Sequence, residues 1–428
     1  MKKILLSAIL VVLVAFVQTA TLQAQCGDRY MLPIFSNVNV VSNVQYGSNV
    51  TVDGTTKILQ FDFYEPQGDV LEARPLIILA HGGTFVAGDE NSADIVYLCQ
   101  EFAKRGYTCA SINYRLLPYA TAIASLFDGQ IQSVFFDEVA KAVTDMRAAI
   151  RYFRQDAATA NAYRIDPNQI FIGGASAGAI TAVHAAYLTS EDDFAGYTLT
   201  GGVTPMGHIN NNGGFEGNSG NPGYPSTVSG LINLCGAVGS INFMQAGEAP
   251  VVSIHGTADS VVPYGTGSAN AFGVPVITVD GSQIIHQRAD MLNIPNALLI
   301  YPGEDHMAHD SQTNRPESLT FITEFLYDLV ECSSVGINQP ANTNHQPDIT
   351  LYPNPTNGNT EATLSFSNFT SPEVTVQLFS LVGQSIVEFT TPSNTFVSLD
   401  LSKLSAGMYQ LMVSDGKQMA VKKLSVVK

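Results

Sequence analysis

Residues 169–179 read QIFIGGASAGA, and residues 177–187 continue as AGAITAVHAAY. Ile170, Phe171 and Ile172 have the apolar character of a buried strand, whereas the stretch after Ser176 has the small and unbranched residues of a helix. A strand can pass into a helix within so few residues only through a sharp turn. Ser176 at its apex is then forced into a strained backbone state. Gly174 and Gly178 pass so close to their surroundings that a Cβ would collide, and Ala175 and Ala177 are small for the same reason. This is the G-x-S-x-G pattern, which holds a serine hydroxyl out above the start of a helix. That helix end carries free N–H groups and the positive end of the dipole, both suited to a developing oxyanion. A chain this rich in Gly and Ser contains the five letters by chance about 0.2 times. The strand before and the helix after are therefore needed, and so are partners elsewhere in the chain.

Those partners occur in order. Leu76–Ala80 is a continuous apolar run, as in a buried parallel strand, and it ends in His81-Gly82-Gly83-Thr84-Phe85. Two glycines directly after a buried strand suit a backbone that must approach a substrate oxygen. Gly83 and Thr84, with Ala177, are the candidate oxyanion donors, and an ordinary Gly-rich turn is the alternative. The strand at Pro250–Ile254 runs into HGTADSVVP, which makes Asp259 the candidate acid, with a turn or cap role as its competitor. His255 falls at the strand end and is read as structural. Ala297–Tyr301 leads into PGEDHMAH, where His306 is the preferred general base and His309 is left to cap or bond within the loop. Ser176, Asp259 and His306 thus stand in the chain order Ser…Asp…His. Helical patterns at Ile95–Arg105, Val134–Phe153, Gln283–Leu292 and Ser318–Val330 alternate with the strands. They imply an α/β doubly wound, mostly parallel sheet, whose ligands bind at the carboxyl ends of the strands. Residues 38–44, 49–52 and 57–64 read as an antiparallel edge.

Residues 199–228 break this rhythm with many Gly and Asn and no periodicity. A loop of that length inside a compact domain is usually functional or disordered. His208, Phe215 and Tyr224 are its candidate substrate contacts, on one wall of the cleft.

The N-terminus has Lys2-Lys3, an apolar run from Ile4 to Val17 and small residues near Ala20 and Ala24, the layout of a signal peptide over residues 1–25. The run is short for a membrane span, and no other stretch is long and apolar enough. Export permits disulfides. With five cysteines at least one thiol stays unpaired. Cys26–Cys332 would tie the ends of the main domain, Cys99–Cys109 would tie a helix to the next strand, and Cys235 suits a buried thiol. There is no C-x-x-C, so no zinc site is expected from cysteine spacing. A net charge of −17 disfavours nucleic acid and anionic membrane surfaces as partners.

The segments HGGTFVAGDE (81–90), SINYRL (111–116), IDPNQIFIGGASAGA (165–179), HGTADSVVP (255–263) and GEDH (303–306) resemble the α/β-hydrolase superfamily. Within it they resemble bacterial carboxylesterases of the hormone-sensitive-lipase and feruloyl/acetyl-xylan esterase type. The resemblance spans most of 76–330 and departs at Thr84, where many such esterases have a third glycine. It implies a serine esterase that needs no metal or organic cofactor. Residues 333–348 form a polar linker. From 349 onward, short alternating strands suggest a small β-sandwich. YPNP, SAGMY and the lysine-bearing last strand resemble the C-terminal sorting domain of the type IX secretion system of Bacteroidota, with an Ig-like accessory module as the alternative. That resemblance implies contact with the secretion machinery and a secreted or cell-surface product. The expected organisation is signal peptide 1–25, catalytic domain 26–332, linker 333–348 and sorting domain 349–428. The expected function is a secreted carboxylesterase, acting on acetyl or feruloyl esters of polysaccharides. A lipase or polyesterase, a serine peptidase, or a catalytically silent surface-binding protein are the alternatives.

Overall fold

The computed structural model describes residues 26–200, 203–332, 348–352, 356, 361–367, 369–380, 385–393, 395–416 and 419–426. The signal peptide expected over 1–25 lies outside the described residues, and of the linker expected over 333–348 only Asp348 is described. Contacts divide the chain into two compact units, meeting at residues 333 and 334.

In the first unit the elements follow as β1 (Val38–Val50), β2 (Thr56–Pro66), β3 (Arg74–Ala80), α1 (Ala93–Lys104), β4 (Thr108–Ile112), α2 (Tyr119–Phe127), α3 (Ile131–Ala158), β5 (Ile165–Ala175), α4 (Ala177–Tyr187), α5 (Pro205–Asn211), β6 (Gly230–Leu234), β7 (Ala237–Val238), β8 (Val251–Gly256), β9 (Thr266–Ala271), β10 (Val274–Gly281), α6 (Ser282–Leu292), β11 (Asn296–Tyr301) and α7 (Arg315–Leu329). Eight strands make the main sheet in the order β1-β2-β4-β3-β5-β6-β8-β11. β1 and β2 are antiparallel, and β2 meets β4 antiparallel. The remaining neighbours are parallel. The central strands β3, β4, β6 and β8 are buried at every position. This follows from helices covering both faces, which leaves no room for alternation. Two apolar cores result, one on each side of the sheet.

Local departures from the sequence pattern have local causes. One strand with register shifts at Val41/Val44 and Gln45/Gly47 takes the place of the two short edge strands at 38–44 and 49–52, because bulges interrupt the period-two alternation. The β9–β10 hairpin pairs with β7 as a separate three-stranded sheet. The pairing of Cys26 with Cys332 is present, with Cα atoms 5.5 Å apart. Cys99 and Cys109 are instead free, buried thiols, so that expected pairing is corrected.

The Gly/Asn stretch is held by α3. Arg147, Arg151 and Arg154 lie at helical spacing on that helix and are buried. A buried guanidinium requires acceptors, and loop carbonyls supply them. Arg147 donates to Phe215 O. Arg151 Nη1 donates to Glu216 O at 2.7 Å and Nη2 to Gly220 O at 2.9 Å. Arg154 donates to Pro225 O at 2.6 Å and Thr227 O at 2.7 Å. A segment without apolar periodicity is thereby ordered through its backbone.

Among the described residues the second unit has the strands β12 (Asp348–Tyr352), β13 (Glu361–Ser367), β14 (Glu373–Ser380), β15 (Ser385–Pro392), β16 (Phe396–Asp400), β17 (Gly407–Ser414) and β18 (Met419–Val426). They form sheets β12-β13-β16 and β15-β14-β17-β18, antiparallel throughout, around a core that includes Leu364, Val376, Leu378, Leu411 and Leu424. The chain is therefore an α/β fold with a doubly wound, mostly parallel sheet, followed by a small all-β sandwich.

Candidate active site

Ser176 stands between the end of β5 and the start of α4, with φ 54° and ψ −118°. A non-glycine residue in that region costs roughly 1–3 kcal/mol and persists only where its surroundings demand it. The surroundings here are backbone. A Cβ at Gly174 or at Gly178 would run into Ala80 O, and one at Gly178 would also meet the backbone of His81. Ser176 N–H donates to Leu234 O at 2.9 Å, which ties the turn to β6. The first N–H groups of α4, beginning with Ala177, have no carbonyl one turn earlier in the helix to accept from them.

The loop after β3 approaches the same place. Gly83 has φ 115°, and Thr84 and Phe85 follow at 56° and 61°. Two non-glycine residues in the left-handed region turn the loop back on itself, closed by Val86 N–H to Gly83 O at 3.0 Å. Its base is fixed by His81, which is fully buried and stacked on Tyr114 with centroids 4.4 Å apart. Tyr114 Oη donates to His81 O at 2.8 Å.

Asp259 and His306 come from the loops after β8 and β11. Ser176 Oγ is 2.9 Å from His306 Nε2, and His306 Nδ1 is 2.7 Å from Asp259 Oδ2. Asp259 Oδ1 accepts from the N–H groups of Val261 and Val262 at 2.9 and 2.8 Å. His255 Nε2 lies 3.2 Å from Asp259 Oδ2 and is itself oriented by Ser282 Oγ at 2.8 Å from Nδ1. Burial alone would raise the Asp259 carboxyl, but hydrogen bonds from His255 and His306 outweigh it and hold the group well below the usual carboxylate range. For His306 burial works toward the neutral form. The hydrogen bond to Asp259 outweighs it, with a further contribution from Cys235, and the imidazole is raised above its ordinary value. The arrangement holds a hydroxyl, an imidazole and an ionised carboxylate in line.

Two further groups support the line without having been assigned a part in it from sequence. Asp305 Oδ1 accepts from Ser260 N–H at 2.8 Å and His306 N–H at 2.7 Å, which laces the two loops together. His255, read as structural, is the second partner of the Asp259 carboxylate. Cys235, directly after β6, lies against His306 and His309. Neither ring nitrogen of buried His309 makes a hydrogen bond within its loop.

An open cleft, lined almost wholly by apolar side chains, leads away from Ser176. Phe135, Phe136 and Val139 of α3 form one wall, and Ala269, Ala271, Val276, Ile277 and Val279 of the β9–β10 hairpin form another. Thr84, Ala177 and Tyr197 also line it. His184 on its floor is neutral. Its Nδ1 donates to Ile180 O at 2.7 Å and Nε2 accepts from Gly239 N–H at 3.0 Å. Burial holds its pKa at about 4. Among the described residues no Asp, Glu, Lys or Arg lines this cleft.

The expected substrate contacts lie elsewhere. His208, Phe215 and Tyr224 do not line the cleft. His208 is buried with Nε2 2.9 Å from Ser133 Oγ and Nδ1 3.2 Å from Asp137 Oδ1. This second Ser-His-Asp set joins α3 to α5. Ser133 sits within an ordinary helix and lines neither this cleft nor the smaller cavity behind it. Phe215 packs on Phe194 and faces that smaller cavity. The physical reason is the arginine row of α3, which draws the Gly/Asn stretch away from Ser176. The hairpin that does form the wall was hidden, because TGSANA gives β9 no strand signal.

Residues 61–209 match the BD-FAE family, and residues 350–427 match the secretion system C-terminal sorting domain. The first match includes Ser176 and the loop after β3 and ends before Asp259. Among solved structures, the native Est2 esterase of the planctomycete Thermogutta terrifontis is similar at 19% identity and TM-score 0.45, covering 72% of this chain and 98% of that one. The tabun-phosphoramylated form of Thermogutta terrifontis esterase 2 is similar at 18% identity and TM-score 0.46, covering 70% and 97%. A truncated carbohydrate esterase from gut microbiota is similar at 22% identity and TM-score 0.45, covering 71% and 99%. No curated protein sequence matches.

Proposed function

We propose that this chain, which matches the BD-FAE family over residues 61–209 and the secretion system C-terminal sorting domain over residues 350–427, is an exported serine carboxylesterase for esters with an apolar acyl group. The observation that carries the reading is the continuous hydrogen-bonded line from Ser176 Oγ through His306 to Asp259, with separations of 2.9 and 2.7 Å. His306 Nε2 takes the hydroxyl proton as Ser176 Oγ attacks the ester carbonyl carbon. Asp259 holds the ring with Nδ1–H toward itself and stabilises the imidazolium that forms. The negative charge on the carbonyl oxygen is met by backbone N–H groups of Ala177, Gly83 and Thr84. His306 then passes its proton to the departing alcohol oxygen, leaving the acyl group on Ser176. In the second half His306 takes a proton from water, hydroxide adds to the acyl carbon, and Oγ leaves with the proton returned. None of these steps calls for a metal or an organic cofactor.

The cleft favours the feruloyl-type reading over the acetyl one. Aromatic and branched apolar side chains line the cleft beside Ser176, a surface that an aromatic acyl group covers and an acetyl group does not reach across. An aliphatic acyl chain meets the same surface, so lipase or polyesterase use is the second reading. Export through the type IX route is supported by the sorting-domain match.

The test is hydrolysis of p-nitrophenyl esters from acetate to palmitate, together with methyl ferulate, by the wild type and by Ser176→Ala. The variant is expected to lose activity by about 10⁴-fold or more with its fold intact. Activity in Ser176→Ala equal to that of the wild type would remove Ser176 as nucleophile. A clear maximum at acetate would remove the apolar-acyl reading.

A further inference from the structure

We propose that Cys235, His306 and Asp259 form a binding site for a thiophilic divalent cation such as zinc, and that occupancy of this site switches off the proposed esterase centre. The proposal rests on the role given to His306 above.

Three observations carry it. A sulfur of Cys235, a ring nitrogen of His306 and a carboxylate oxygen of Asp259 all lie within 4.8 Å of one another. Thiolate, imidazole and carboxylate are the donors zinc prefers, at about 2.0–2.3 Å from the ion, so a small inward movement of each side chain suffices. The neighbourhood supplies more soft donors. Met307 Sδ is 3.6 Å from Cys235 Sγ. His309 is 95% buried, lies beside the same thiol, and neither ring nitrogen makes a hydrogen bond of ordinary length among the described residues. A buried imidazole left without partners is costly unless something accepts its lone pair or proton. An ion on Cys235 would. The site also has a way in. The His306 side chain is 17% exposed, while Asp259 is closed off. Sequence spacing conceals the set, because its members come from loops after three different strands.

Any proton still on the Cys235 sulfur is released to solvent on binding. The ion takes a lone pair of the His306 ring. Shared with Asp259, the ion takes Nδ1, the ring proton moves to Nε2, and the bond to Asp259 is replaced by two metal bonds. No free basic nitrogen then faces Ser176.

The experiment uses the full chain stripped with EDTA and titrated with zinc chloride. Equilibrium dialysis reads binding, p-nitrophenyl butyrate hydrolysis reads activity, and cobalt(II) in place of zinc reads a thiolate-to-metal absorption band. The wild type is expected to bind one ion per chain, to lose activity in step with binding, and to recover on adding EDTA. Cys235→Ala and His309→Gln are each expected to raise the half-inhibitory zinc concentration at least about tenfold, and Cys235→Ala to abolish the cobalt band. The two variants guard against one failing to fold. Zinc bound with full activity, inhibition unchanged in both variants, or no bound ion would overturn the proposal. Should the stripped protein cleave no ester, the esterase reading fails by itself, while dialysis and the cobalt band still decide the metal site.

Discussion

Protonation decides what His306 can do, and its neighbours set when. Its pKa is raised chiefly because the Asp259 carboxylate outweighs burial. A base must be neutral, so activity rises with pH through a midpoint above the ordinary imidazole value of about 6.5. Asp259→Asn removes the charge that favours imidazolium. The midpoint of kcat/KM against pH, measured in EDTA, is therefore expected to move down, while kcat falls about 10⁴-fold from loss of the productive tautomer. A midpoint unchanged in the variant would mean that another group titrates. Thr84 offers a second residue-scale test. A β-branched residue at φ 56° is strained. Thr84→Gly is expected to stabilise the chain by about 1 kcal/mol in urea unfolding. A loss of stability would show that the threonine side chain makes contacts that outweigh the strain.

At the scale of elements, the cleft is a joint product of α3 and the β9–β10 hairpin. Ala269 and Ala271 are small residues on the wall facing Phe135 and Phe136. Ala269→Phe is expected to fill part of that space. KM for octanoate and ferulate esters should rise about tenfold or more while acetate hydrolysis stays within about twofold. An equal loss for all chain lengths would instead indicate a disturbed site. The same elements mark how far the sequence could be read. β5, the turn at Ser176 and α4 were legible because strand, close-packed glycines and helix are dictated locally. His208 was misplaced because a histidine in an aperiodic loop gives no sign of what it faces. Its position follows from Ser133 and Asp137 on a helix that lies 71 or more residues earlier in the chain.

For the whole molecule, the long-range fastening is covalent. The disulfide closes a loop with a sequence separation of 306 residues, joining the first described residue to the end of the α/β unit. Closing so long a loop stabilises mainly by restricting the unfolded chain, by about 3–5 kcal/mol. The double variant Cys26→Ser, Cys332→Ser is expected to lose about that much in urea unfolding and to keep its esterase activity at 25 °C. An unchanged midpoint would show that the bond does not constrain the unfolded chain. Among the described residues no helix is long and apolar enough to cross a membrane.

Chain order and local chemistry sufficed for the alternation of strands and helices, for the turn that strains Ser176, and for the choice of Asp259 and His306 as candidates. Each of these depends on residues within one turn or loop. Tertiary structure alone decided the cleft wall, the support of Asp259 by His255, the lacing by Asp305 and the meeting of Cys235 with His306. Those contacts join the ends of separate parallel strands. Which side chains face one another there depends on sheet register, which leaves no periodic mark on the sequence, and on the buried arginines of α3, whose spacing says nothing of the carbonyls they meet.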